Sequence, residues 1–71
     1  NKTILILGAC GQIGTELTLA LRQKYGNHSV VASDIRQPEH SELLNGPFEV
    51  LDASSASALR LVCEKHEIHT V

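Results

Sequence analysis

The sequence is poor in the features that mark several classes of small protein. Two cysteines allow at most one disulfide bond, so a disulfide framework is excluded. No apolar run approaches the roughly 18 residues that suggest a transmembrane helix. Six Lys and Arg stand against eight Asp and Glu, for a net charge of −2, which argues against the basic surface of a nucleic-acid-binding protein. We therefore expect neither a membrane nor a nucleic-acid partner.

Methionine is also absent from the 71 residues. Asn1 is therefore not expected to be the start of translation, and Ile68 to Val71 are typical of a strand that has only begun. The composition, 42% hydrophobic and 20% charged, is that of a folded globular chain. We expect residues 1–71 to be one partial domain, truncated at both ends and without catalytic or substrate-binding regions.

The apolar pattern predicts strands that alternate with helices. Thr3 to Leu7 form an unbroken aliphatic run, typical of a strand buried on both faces of a parallel sheet. A helical period follows from Gln12 to Tyr25 and ends at Gly26. Its predicted core-facing stripe is Ile13, Leu17, Ala20, Leu21 and Tyr25.

The remainder of the chain repeats this alternation. Strands are expected at Ser29 to Ser33, at Phe48 to Leu51 and from His69 onward, with a short helix around Glu39–Leu44. A further helix is expected after a cap at Ser54 or Ser55, with Leu59, Val62, Cys63 and His66 on its apolar face. This order predicts an α/β fold, the amino-terminal half of a doubly wound parallel sheet of the Rossmann type.

Three glycines follow the first predicted strand at regular spacing. Gly8 permits a sharp turn off the strand, Gly11 lets backbone approach a pyrophosphate, and Gly14 allows the helix to pack closely on the sheet. The amino terminus of that helix would then face the phosphates. The alternative is a tight strand-to-helix turn without a ligand. A mononucleotide P-loop is disfavoured because its Lys-Ser/Thr pair is absent.

Acidic residues end the next two predicted strands. Asp34 lies twenty residues after Gly14, where a carboxylate can bind an adenosine ribose and would repel a 2′-phosphate. This favours NAD over NADP, although Arg36 could pair with such a phosphate. Asp52 could reach the adenine or could cap the following helix, and both alternatives remain open.

These residues resemble a known family. The glycine spacing resembles that of the extended short-chain dehydrogenase/reductases, which include NAD-dependent sugar epimerases. The segments Gly8–Leu17, Ala32–Arg36 and Gly46–Phe48 are more closely similar to short-chain-type L-threonine 3-dehydrogenases. The resemblance covers nearly the whole chain.

The resemblance implies both an activity and a set of cofactor contacts. Enzymes of this family oxidise the C3 hydroxyl of L-threonine to 2-amino-3-oxobutanoate by hydride transfer to NAD, and we expect a cytoplasmic homodimer formed through regions outside this segment. The alternatives are a nucleotide-sugar epimerase or dehydratase of the same superfamily and a non-catalytic dinucleotide sensor. The residues implied to bind NAD are Gly8, Gly11, Gln12, Ile13, Gly14, Asp34, Ile35, Arg36, Asp52 and Ala53.

Catalytic and metal-binding residues are not expected in this segment. The family uses a Tyr-x-x-x-Lys motif, but the single tyrosine, Tyr25, is followed four residues later by Ser29. Cys63, His66 and His69 have the residue types of metal ligands, but three are fewer than the four that structural zinc uses. Cys10 is most simply a small spacer in the glycine turn.

Overall fold

The computed structural model of the chain describes residues 3–38 and 41–71. The strands are β1 (Ile4–Leu7), β2 (Val30–Asp34) and β3 (Phe48–Val50), and the α-helices are α1 (Gln12–Tyr25) and α2 (Ala56–His66). Short 3-10 helices span Asn27–Ser29 and Ser41–Asn45. The predicted α/β fold class is confirmed. The predicted helix around Glu39–Leu44 lies partly outside the described residues, and its described part belongs to the second 3-10 helix.

The three strands form a parallel sheet in the order β1-β2-β3. Leu5 is in register with Val31, and Ala32 is in register with Phe48. The predicted fourth strand is present as a single parallel bridge between Ile4 and Thr70, at the edge of β1 that β2 leaves open. The chain that follows β3 therefore passes over the sheet through α2 and returns to the free edge of β1. Because the strands are parallel, their carboxyl ends lie at one edge of the sheet.

Each face of the sheet carries its own apolar cluster. Leu5, Val31, Leu51 and Val62 form the cluster beneath α2, while Ile6, Ala9, Val30 and Ala32 form the cluster on the other face. Consecutive residues of β1 and β2 thus go to opposite faces, and both faces are buried, as expected for a parallel sheet. Burial on both faces of the sheet explains why the aliphatic run in β1 is continuous.

The predicted core stripe of α1 is wrong, apart from Leu21, which packs against the second cluster. Ile13 is 80% exposed, and Leu17 and Tyr25 are also exposed. The exposed Tyr25 ring lies below Lys24, with 5.3 Å from Nζ to the ring centroid. The buried residues of this helix are Thr15, Thr18 and Arg22.

Close packing of the helix explains this buried polar face. A Cβ on Gly14 would collide with the Gly8 carbonyl and lie 2.9 Å from the Ala9 Cα, so only small side chains fit beside it. The Thr15 hydroxyl donates to the Ala9 carbonyl at 2.8 Å, and the Thr18 hydroxyl donates to the Gly14 carbonyl at 2.7 Å. Both hydroxyls therefore satisfy their hydrogen-bonding capacity at little cost.

Arg22 is a buried cation that joins α1 to the segment between β2 and β3. Its Nε donates to the Val30 carbonyl at 3.1 Å, and its terminal nitrogens donate to the carbonyls of Leu43 and Pro47 at 2.5 and 2.6 Å. Gly46 leaves room for the guanidinium, since a Cβ there would lie 2.9 Å from Cζ. Burial lowers the pKa of Arg22.

The second helix packs largely as expected. Ser55, one of the two predicted caps, accepts from the Ala58 N–H at 3.3 Å. Val62 is buried, and Leu59 and Cys63 pack beside it. His66 lies on the same face but pairs with Glu49 of β3. No helix within the described ranges is long and apolar enough to cross a membrane.

Candidate functional site: a dinucleotide-binding turn

The glycine turn lies between β1 and α1, at the carboxyl edge of the sheet. Gly8 has φ +72°, a left-handed conformation that glycine adopts without steric cost. Gly11 is the cap residue of α1 and has no side chain with which to satisfy the helix N–H groups. The first backbone bond of the helix runs from the Thr15 N–H to the Gly11 carbonyl at 2.8 Å.

Gly11 and Gly14 differ in how strictly packing requires glycine. Gly14 is dictated by the fold, because a Cβ would collide with the backbone of the turn. At Gly11, a Cβ would make only an ordinary contact of 3.5 Å with the Gly8 carbonyl, and φ is −70°. Packing within the protein therefore permits a side chain at Gly11 and alone does not require glycine at this position.

The first turn of α1 presents backbone donors beside Gly11. Within residues 3–38 and 41–71, the N–H groups of Gln12 and Ile13 make no hydrogen bond to the protein. Both side chains are exposed. Unpaired N–H groups at the positive end of a helix dipole form a binding site for an anion such as phosphate.

Asp34, the last residue of β2, is joined to this turn by hydrogen bonds. Its Oδ2 accepts from the Cys10 N–H at 2.9 Å, and its Oδ1 accepts from the Arg36 N–H at 3.1 Å. The Arg36 Nε lies 3.7 Å from Oδ1. The Asp34 side chain is only 9% exposed.

These contacts keep the Asp34 carboxylate ionised. Burial acts to raise its pKa, but the N–H groups of Arg36 and Cys10 and the charge of Arg36 outweigh burial and lower the pKa. Each carboxylate oxygen accepts one backbone N–H and retains capacity for a second donor. Two adjacent hydroxyls, as on a ribose, match this pair of acceptors.

Asp52 follows β3 at the same edge of the sheet. Its Oδ1 accepts from the Ser54 N–H at 2.9 Å and from the Ser54 hydroxyl at 2.6 Å. The bond to the Ser54 hydroxyl is the main reason that the pKa of Asp52 is lowered. Because Ser55 caps α2, the expectation that Asp52 could be the cap is wrong, and Asp52 instead forms a turn before the helix. Adenine contact by Asp52 and the neighbouring Ala53, both exposed, stays a prediction.

The structure thus gathers the predicted cofactor residues at one edge of the sheet. The Leu51 N–H donates to the Asp34 carbonyl at 2.8 Å, which holds the end of β3 beside the end of β2. Ile35 is 63% exposed and lies between the two charged residues of the β2 terminus. The chain order of a parallel sheet made this grouping predictable.

A cleft beside the turn was not predicted. It has a volume of about 420 Å³ and is lined by Cys10, Gln12, Thr15, Glu16, Leu19 and Glu42. The Cys10 thiol lies 3.7 Å from the Arg36 carbonyl oxygen and 3.6 Å from that of Gln37. Cys10 therefore borders both the cleft and, through its N–H, the Asp34 carboxylate. The chain between β2 and β3 supplies Glu42, so no local pattern indicated the cleft.

Neither a metal-binding cluster among the described residues nor the single tyrosine, Tyr25, lies beside the turn. No group of three or more His, Cys, Asp or Glu residues in the described part of the chain is arranged to hold a metal ion. Tyr25 ends α1, about 20 Å along the helix axis from Gln12 at 1.5 Å per residue. The tyrosine therefore lies at the opposite end of the helix from the glycine turn.

Comparison with known proteins agrees with this architecture. No family model matches the chain. An uncharacterized epimerase/dehydratase of Staphylococcus haemolyticus is 51% identical over 71 residues, which are 99% of this chain and 22% of that relative. The chain thus spans about a fifth of the length of the curated relatives it matches.

Among solved structures, the chain is similar to L-threonine dehydrogenases in particular. L-threonine dehydrogenase from Clostridium difficile superposes with a TM-score of 0.90 at 41% identity, over 97% of this chain and 22% of that one. The holo form of a threonine dehydrogenase from Cupriavidus necator superposes with a TM-score of 0.83 at 37% identity, over 97% of this chain and 23% of that one. The chain has the fold of the amino-terminal, Rossmann-type part of epimerase/dehydratase-type enzymes. Within them it is similar to the L-threonine 3-dehydrogenases, so the resemblance found in the sequence is confirmed.

Proposed function

We propose that the chain is the NAD-binding amino-terminal segment of an oxidoreductase that oxidises the C3 hydroxyl of L-threonine. The observation that carries the cofactor proposal is the joint geometry of the turn and Asp34. Unpaired N–H groups of Gln12 and Ile13 lie at one end of the site, and a carboxylate with two available acceptors lies at the other. Pyrophosphate and ribose require these two chemistries in one ligand.

Different residues would bind different parts of the cofactor. Gly11 allows the pyrophosphate to approach the backbone, and the helix dipole of α1 opposes its negative charge. Asp34 would accept from the ribose hydroxyls, and Ile35 offers an exposed apolar surface beside the adenine. When bound, NAD supplies the acceptor for the hydride that leaves the substrate carbon. The exposed side chain of Ile13 lies in the first turn of α1, beside the backbone that would hold the pyrophosphate.

The particular substrate is proposed from the likeness to threonine dehydrogenases, three-quarters of whose length lies outside the matched segment. We propose that the substrate site, a catalytic Tyr-x-x-x-Lys and a dimer interface belong to such regions of a longer cytoplasmic parent protein. Alone, residues 1–71 should bind NAD weakly and should not turn over substrate.

The test is NADH formation by the full-length parent protein with L-threonine and NAD. We expect turnover with L-threonine, little activity when NADP replaces NAD, and no activity from residues 1–71. Binding of NAD without turnover of L-threonine would contradict the substrate assignment. Failure to bind NAD would contradict the cofactor assignment.

A nucleotide-sugar epimerase or dehydratase is the second candidate. It is favoured by the name of the relative that is 51% identical, an uncharacterized epimerase/dehydratase. Such an enzyme would share the turn and Asp34 and would differ in its substrate region. Conversion of UDP-sugars by a protein inactive on L-threonine would support this candidate, and inactivity on both would favour a non-catalytic dinucleotide sensor.

A further inference from the structure

The buried guanidinium of Arg22 holds a segment that borders the proposed cofactor site. We infer that Arg22 is a positioning residue for NAD binding: it fixes the second 3-10 helix, Ser41–Asn45, against α1, and so sets the wall that Glu42 gives to the cleft beside the glycine turn. This role rests on the proposed function, because the affected ligand is NAD. Arg22 is only 3% exposed, so it acts through the protein and not by contact with the cofactor.

Three hydrogen bonds make Arg22 the link between α1 and the 3-10 helix. Nε donates to the Val30 carbonyl, which fixes the guanidinium to the start of β2. The terminal nitrogens donate to the carbonyl of Leu43, within the 3-10 helix, and to that of Pro47, which follows it. Hydrogen bonds from a charged donor are strengthened where water is excluded. The position of the 3-10 helix therefore depends on one side chain of α1.

Close packing around the guanidinium leaves the 3-10 helix little freedom to shift. Leu43 is fully buried, and a Cβ on Gly46 would collide with the Asn27 carbonyl and lie 2.9 Å from Arg22 Nε. Glu42, by contrast, is exposed and immediately precedes Leu43 in the same helix. Glu42 therefore keeps its place through the backbone of Leu43, and a displacement of Leu43 would carry Glu42 with it.

The cleft connects this wall to the dinucleotide site. Glu42 alone, among the described residues that line the cleft, lies outside the glycine turn and α1. The other lining residues include Cys10, whose N–H donates to Asp34, and Gln12, whose backbone N–H is proposed to bind the pyrophosphate. A loosened 3-10 helix would have to be ordered again when NAD binds, and such ordering weakens binding.

The experiment measures the dissociation constant of NAD by titration calorimetry for the full-length parent protein and three variants. Arg22→Met removes the donor nitrogens and keeps much of the side-chain volume, Arg22→Lys keeps the charge with one donor nitrogen, and Val62→Ala is the control. We expect Arg22→Met to weaken NAD binding by about fivefold to tenfold, because the segment must then be ordered on binding. Arg22→Lys should bind NAD with intermediate affinity.

Val62→Ala separates positioning from a general loss of stability. Val62 is buried beneath α2, so its truncation destabilises the domain on the face of the sheet opposite to Arg22. We expect unchanged NAD affinity in this variant, at a temperature where thermal unfolding shows every variant to be folded. Equal weakening in Arg22→Met and Val62→Ala, or no weakening in Arg22→Met, would overturn the positioning role. Failure of the wild type to bind NAD would instead overturn the proposed function, and the role in NAD binding with it.

Alkylation of Cys10 reports on the wall without the cofactor, and it applies to Arg22→Lys if Arg22→Met does not fold. The Cys10 thiol borders the cleft and lies 3.6 Å from the Gln37 carbonyl oxygen, so a loosened segment would expose it to iodoacetamide. By peptide mass spectrometry, we expect the rate at Cys10, relative to Cys63 on α2, to rise severalfold in the Arg22 variants. Val62→Ala should not raise the rate at Cys10. An unchanged rate at Cys10 in the folded Arg22 variants would overturn the placement of the wall by Arg22, whether or not the wild type binds NAD.

Discussion

The two helices cover opposite faces of the same sheet by different means. Beneath α2, Val62 packs on Leu5, Val31 and Leu51 in an apolar cluster. Beneath α1, the buried helix residues are two threonines and an arginine, whose side chains donate to backbone carbonyls. The α2 contact tolerates any well-filled apolar packing, whereas the α1 contact depends on particular hydrogen bonds and on the absence of one side chain.

This difference follows from the position of the site. The start of α1 lies close to the end of β1, so the helix approaches the sheet at Gly14 and leaves no room for large apolar residues there. At the amino terminus of α2, by contrast, the Ser55 side chain accepts from the Ala58 N–H. The polar face of α1 is thus a consequence of its close approach to the end of β1 at Gly14.

The largest effect is expected for Gly14→Ala. The added methyl would collide with backbone atoms of Gly8 and Ala9, which cannot move without displacing the turn. We expect a loss of about 3 kcal/mol or more in the free energy of unfolding, measured by chemical denaturation. Gly11→Ala is the matched control, because its methyl makes only an ordinary contact. Equal losses in the two variants would contradict the packing account of Gly14.

Arg22→Met is expected to have the next largest effect. Methionine keeps much of the buried chain but leaves the carbonyls of Val30, Leu43 and Pro47 without their donor. We expect a loss of about 2–3 kcal/mol in the free energy of unfolding. Arg60→Met, at an exposed site, should change stability by less than about 0.5 kcal/mol. A similar small change at Arg22 would show that α1 does not depend on its polar contacts.

The smallest effect is expected for Glu49→Gln beneath α2. Glu49 Oε2 lies 2.6 Å from His66 Nε2 and 2.9 Å from Lys65 Nζ. These partners, His66 first, lower the pKa of Glu49, so its stabilisation is present at neutral pH and is lost as the pH falls below about 4.3. Since apolar packing holds α2, we expect a loss at pH 7 of less than about 1 kcal/mol.

The readout that isolates this pair is the pH dependence of unfolding. The wild type and Glu49→Gln should converge in stability as the pH falls below the usual pKa of a glutamate. A difference that persists unchanged at low pH would show that the ion pair is not its cause. If Glu49→Gln lost as much free energy of unfolding as Arg22→Met, the α2 face would depend on polar contacts as strongly as the α1 face does. That result would contradict the contrast between the two faces.

The sequence predicted the elements that depend on local pattern. The aliphatic run of β1, the turn beginning at Gly8 and the helix ending at Tyr25 are all where expected. Gly14 was correctly assigned to close packing, because its spacing from the strand determines which face of the helix meets the sheet. Asp34 ends β2 and Asp52 follows the end of β3, so both lie at one edge because the sheet is parallel.

The buried face of α1 could not be read from hydrophobicity. Apolar periodicity assumes that the largest apolar residues face the sheet, but Gly14 admits only small neighbours. Gly14, Thr18 and Arg22 recur every four residues, and that spacing from a packing glycine was the available signal. The acceptors of Arg22 come from three distant points in the chain, so only tertiary structure reveals its role. The same non-local origin conceals the cleft formed with Glu42.

Titration of NAD into the full-length parent protein and its Asp34→Ala variant tests the assignment of the dinucleotide site most directly. The variant should bind NAD more weakly by about 1–3 kcal/mol, because a charged acceptor of the ribose hydroxyls is lost. Unchanged affinity, in a variant whose thermal unfolding shows that it is folded, would contradict the assignment of the turn and Asp34 as the dinucleotide site.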